Sequence, residues 1–71
     1  MLRMVITDKD NNEVKVVRSK NFNYIRRECR KFFYTGNNLN TRCYNYGVKF
    51  YIDDVEYNSF IDFEYSVKEV Y

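Results

Sequence analysis

The sequence predicts a small α+β domain, two layers in the order ββαββα, with both helices covering one face of an antiparallel sheet. Three observations carry that expectation. Two pairs of short alternating segments flank turn-forming clusters at residues 8–12 and at Asp53 and Asp54. Between the pairs, residues 21–35 place apolar side chains at helical spacing. The third is composition: 71 residues are few for a core, but eight Tyr and six Phe supply the side chains that bury the most area. Proline is absent and glycine occurs only at positions 36 and 47, so no linker is visible and residues 1–71 read as one domain.

The first strand, residues 2–7, alternates, with Leu2, Met4 and Ile6 on one face and Arg3, Val5 and Thr7 on the other. Residues 13–19 are read the same way, with Val14 and Val16 expected inward and Lys15 and Val17 outward. The turn between them places Asp8, Asp10 and Asn12 at the first three ligand positions of a calcium loop. Glu13 then stands where the sharp bend needs Gly, and Ser19 where a bidentate Glu is needed, so the segment reads as a hairpin turn.

Residues 21–35 form the clearest helical pattern. At 100° per residue, Phe22, Ile25, Cys29, Phe32 and Phe33 share an arc about 100° wide. The adjoining arc holds Arg26, Arg30, Asn23, Tyr34, Arg27 and Lys31. Ser19 or Asn21 is expected to cap the start and Gly36 to end the helix, and Glu28 is the one internal partner for its cations. Asparagines at 37, 38, 40 and 45 mark residues 36–46 as loop, with a short extended piece expected near 41–44. Arg42, Tyr44 and Tyr46 either extend a contact surface from the end of the helix or fold back onto the core.

Residues 47–52 alternate again, Val48, Phe50 and Ile52 inward and Lys49 and Tyr51 outward, and residues 55–58 return as a strand. The tail, residues 59–71, fits either a strand, which gives ββαβββ with a single helix, or a helix with Phe60, Phe63, Val67, Val70 and Tyr71 on one arc. Three signals favour the helix: a capping-box-like Ser59 and Asp62, Glu64 four residues before Lys68, and acids leading a trailing cation.

The net charge of +2 hides an asymmetry. Residues 1–42 carry ten Lys/Arg against four Asp/Glu, and residues 43–71 two against six. Either the molecule has a basic and an acidic face, or the opposite charges pair across its surface.

Catalytic equipment is missing. There is no histidine, no phosphate-binding glycine loop and no nucleophile elbow. Cys29 belongs to the apolar arc, Cys43 has no second residue to activate it, and the two lack metal-ligand spacing. No enzyme activity, metal or cofactor is expected. No signal segment or membrane-length apolar run is read, and unpaired thiols fit a cytoplasmic location.

Binding remains. Surplus tyrosine with a split charge points to a protein partner, engaged by a basic face of Asn23, Arg26, Arg27, Arg30, Lys31, Tyr34 and Arg42 or by an aromatic and acidic surface of Tyr44, Tyr46, Tyr51, Tyr65, Asp53 and Asp54. Tyr24 and Ile61 are also expected outside the core. The same basic face suits nucleic acid as the alternative, although an acidic second half opposes it. A homodimer through the tyrosines is a further possibility. In size, Asn and Tyr richness and lack of catalytic residues the chain resembles small accessory proteins of phages and mobile elements. That resemblance implies an inhibitor or regulator of a host protein.

Overall fold

A computed structural model describes residues 1–35 and 38–70. It shows six strands and two helices: β1 (Leu2–Thr7), β2 (Glu13–Ser19), α1 (Phe22–Phe33), β3 (Tyr34–Thr35), β4 (Asn38–Leu39), β5 (Gly47–Ile52), β6 (Val55–Tyr57) and α2 (Phe60–Val70). The ββαββα order holds, with a two-residue hairpin, β3 and β4, inserted after the first helix. The main sheet runs β2-β1-β5-β6 with every neighbour antiparallel, so the first strands of the two hairpins meet at its centre. Met4 lies opposite Phe50 and Leu2 opposite Ile52. This register puts Leu2, Met4, Ile6, Val48, Phe50 and Ile52 on one face, where both helices cover them.

Apolar burial holds the layers together. Leu2, Met4, Ile6, Ile25 and Phe63 are fully inaccessible and Phe50 nearly so. Phe22 of α1, Phe50 of β5, and Phe60 and Phe63 of α2 form a ring cluster, with Phe50 stacked on Phe63 at 4.9 Å between centroids and Phe22 at 5.7 Å from both Phe60 and Phe63. Such pairs contribute about 0.5–1.5 kcal/mol each beyond the area they bury. They tie both helices to the sheet at one point.

The second strand has the opposite phase to that expected. Its partner along β1 steps from Lys15, opposite Ile6, to Glu13, opposite Thr7, leaving Val14 as the extra residue of a bulge. Met4 then faces Val17, which is buried at 7 % exposure, while Val16 lies across from Val5 on the open face at 38 %. Lys15 therefore points to the helix side, and the expected inward Val14 and Val16 are exposed. Valine at 14, 16 and 17 satisfies either phase locally, and a shift of one residue exchanges the faces.

The turn before it is held by its own side chain. Asp8 Oδ1 accepts from the amides of Asp10 and Asn12 at 2.9 Å each, and Asn11 adopts a left-handed φ of 63°.

Helix α1 starts at Asn21, whose side chain accepts from the Asn23 amide at 2.9 Å, and ends where Tyr34 turns extended at φ −126°. The predicted stop, Gly36, and the expected inward Tyr71 lie outside the described residues. Residues 41–44 form a single 3-10 turn, capped by Asn40, and not the extended piece expected. In α2, Phe63 and Val67 are buried four residues apart while Ile61 and Tyr65 are exposed, so the 3.6-residue period prevails over alternation. Of the three local signals that favoured this helix, one is present: Asp62 lies in its first turn and Lys68 in its last. Among the described residues neither Ser59 nor Asp62 makes a side-chain hydrogen bond and Glu64 does not pair with Lys68, and Val70, expected on the core arc, is exposed.

Candidate functional site

With Ile25 and Phe33 driven into the core and Phe22, Cys29 and Phe32 packed against it, the rotation of α1 is fixed. Its opposite flank must then face water. There Asn21, Asn23, Tyr24, Arg26, Arg27, Arg30, Lys31 and Tyr34 line an open groove of about 640 Å³. Six of the seven residues expected on the basic face, Asn23, Arg26, Arg27, Arg30, Lys31 and Tyr34, are thus brought together. Arg42 is not among them. Its guanidinium lies 4.7 Å from the centre of the Phe32 ring, at the other side of the helix end.

The charges within the groove are unequal. Lys31 pairs with Glu28 Oε2 at 3.2 Å, and Lys15 reaches Oε1 of the same carboxylate at 3.3 Å. The Lys31 hydrogen bond and the Lys15 charge hold the Glu28 carboxyl below its ordinary range. Glu28 is thereby occupied from both sides. Among the described residues no carboxylate pairs with Arg26, Arg27 or Arg30; Arg27 only sits over the Tyr24 ring at 5.7 Å. No described Lys or Arg of residues 1–42 pairs with a carboxylate of residues 43–70, so the charge split is not cancelled by side-chain pairs across the surface.

The expected aromatic and acidic surface is dispersed. Tyr44 is 79 % and Tyr65 66 % exposed, on separate elements. Tyr46 folds back, edge-on to Phe32 at 5.3 Å. Tyr51 lies on the open face of the sheet beneath Arg3, 4.2 Å from ring centre to guanidinium, and donates its hydroxyl to Glu56 at 3.0 Å, which raises its pKa. Asp53 and Asp54 form the β5–β6 turn, where Asp53 accepts from the Met1 amine at 2.9 Å.

The chain matches no protein-family model, no curated protein and no solved structure.

Burial pushes the Cys29 thiol up to about 11, away from the thiolate a nucleophile needs. Among the described residues no three His, Cys, Asp or Glu side chains gather as a metal site, and no helix is long and apolar enough to cross a membrane. What the groove can do is bind anions. Guanidinium forks match carboxylate or phosphate oxygens two at a time.

Tyr24, expected outside the core but not on the basic face, lies one turn before Arg27 and joins the groove, as does the capping Asn21. Sequence reasoning missed Phe60 as a neighbour of the arginines. Phe60 adjoins Arg26 and Arg30 only because α2 packs beside α1, and no local signal marks it.

Proposed function

We propose that this chain is a non-enzymatic binding protein that docks an acidic protein partner in the groove of α1, as an inhibitor or regulator of the kind that small phage and mobile-element proteins supply, acting in a cytoplasm. The observation that carries this reading is the set of three guanidiniums, Arg26, Arg27 and Arg30, exposed on one helical face and, among the described residues, paired with no carboxylate. The interleaved Tyr24 and Tyr34 add the contact area and directed hydrogen bonds that interface anchors use. The test is retention of a host protein from nuclease-treated lysate by the tagged chain and by its Arg27→Glu/Arg30→Glu variant. A stoichiometric protein held by the first and lost by the second, at equal melting temperature, supports the proposal. Equal retention by both, or none by either, opposes it.

A nucleic-acid partner is the second reading, favoured by the same alternation of guanidinium and tyrosine ring along the groove. It requires affinity that falls steeply with salt. Absent or salt-insensitive binding to DNA and RNA at low ionic strength removes it.

A further inference from the structure

The groove does not stop at the exposed flank of α1. Arg26, Arg30 and Tyr34 also wall a second hollow of about 310 Å³, closed by Cys29 and by Phe60 at the start of α2. Cys29, Tyr34 and Phe60 in turn border a third hollow of about 260 Å³, which runs past Leu39 of β4 to Val48 and Phe50 of β5. The three share walls and form one furrow, cationic at one end and apolar at the other. Among the residues lining the apolar end none is charged, and Asn58 supplies its one carboxamide.

We propose that this furrow holds an acidic peptide segment of the partner in which a large apolar side chain stands beside the carboxylates. The apolar group enters the cleft between α1 and α2, and the carboxylates meet Arg26 and Arg30. This rests on the protein-binding reading and specifies what the partner presents. The guanidiniums of Arg26 and Arg30, which pair with no described carboxylate, stand at the rim of an apolar cleft, so a ligand needs both characters close together. Size agrees: the second and third hollows, which take the apolar group, are at or below the low end of the roughly 300–1,000 Å³ typical of small-molecule sites, which suits a side chain better than a cofactor. A nucleobase fits less well: it brings several edge donors and acceptors into a cleft walled mainly by Phe33, Leu39, Val48, Phe50 and Phe60, where the Asn58 carboxamide and the Tyr34 and Tyr46 hydroxyls are the few strong side-chain partners.

The test compares two labelled synthetic peptides on the intact chain, acetyl-Glu-Asp-Phe-Leu-Asp-Glu-amide and its analogue with Ser-Ser in place of Phe-Leu, alongside oligodeoxythymidine. Affinity is read by anisotropy and location by amide shifts. The expected result is that the Phe-Leu peptide binds at least about tenfold tighter than the Ser-Ser peptide and moves the amides of Cys29, Leu39, Val48, Asn58 and Phe60. Leu39→Ser, at a rim position 52 % exposed, then weakens the Phe-Leu peptide alone. Equal affinity of the peptides, with shifts confined to α1, overturns the cleft proposal and leaves the groove reading standing. Oligodeoxythymidine moving the cleft amides at higher affinity than either peptide overturns it in favour of nucleic acid. Binding of neither peptide overturns it and counts against the groove as well.

Discussion

Lys15 crosses from β2 to pair with Glu28 on α1, Nζ to Oε1 at 3.3 Å, and this pair occupies one oxygen of that helix's one acid. It exists because the bulge at Val14 turns Lys15 toward the helix layer. Lys31 takes the other oxygen of Glu28, so the one acid of α1 is fully engaged and the three arginines beside it pair with no carboxylate among the described residues. Glu28→Gln is expected to release Lys31 and strengthen binding of anionic ligands at low salt, an increase that shrinks as salt screens the charge. Anisotropy with the acidic peptides at two ionic strengths checks it.

The inverted phase of β2 gives a direct comparison of neighbours. Val17→Thr places a hydroxyl in the core and is expected to cost about 1–3 kcal/mol. Val16→Thr, on the open face, is expected to stay within about 0.5 kcal/mol of the parent. Urea denaturation of the two variants decides; the reverse order contradicts the register.

Acid is expected to destabilise the fold through two carboxylates. Asp8 is lowered from its ordinary 3.8, first by the Asn12 amide, and Glu28 from 4.5, first by Lys31. Groups lowered by folding contribute stability that is present above those ordinary values and lost as pH falls through the lower folded ones. Unfolding free energy followed downward from pH 5 should decline, and Asp8→Asn and Glu28→Gln should each flatten the decline.

Alkali acts with the opposite sign on Cys29. Burial raises its thiol from 9.0 to about 11, so its contribution is complete below pH 9 and fades as pH rises toward 11. At pH 8 Cys29 is expected to react with iodoacetamide more slowly in the folded chain than after unfolding in urea. Equal rates oppose its placement in the core.

At the hairpin turn, Asn11 holds a φ of 63° that β-branched residues resist. Asn11→Gly is expected to be near neutral, and Asn11→Val to lose about 1–2 kcal/mol. Thermal melts separate the two.

Where one phase of the pattern alone buries the apolar side chains, the sequence was a sufficient guide. That is so for Leu2, Met4 and Ile6, for Phe50 and Ile52, and for the inward arc of α1, hence for the basic flank opposite it. It failed where local chemistry was degenerate. Three valines fit β2 in either phase, and a bulge chosen by tertiary pairing selected between them. The helical tail was read from three local signals, of which the fold keeps the acid-first, cation-last order of Asp62 and Lys68 but neither the capping nor the Glu64–Lys68 pair; Phe63 and Val67 are the residues it buries. The apolar extension of the groove could not be read at all, since Phe60, Leu39 and Val48 meet only when three elements pack.

The measurement closest to the central claim is the stability of Arg26→Gln/Arg27→Gln/Arg30→Gln by urea denaturation at low and high salt. If these guanidiniums serve an outside ligand, their removal leaves unfolding free energy within about 0.5 kcal/mol of the parent, or raises it at low salt by relieving repulsion. A loss of more than about 1 kcal/mol at both salts contradicts the account, because it shows that the arginines hold the fold itself together.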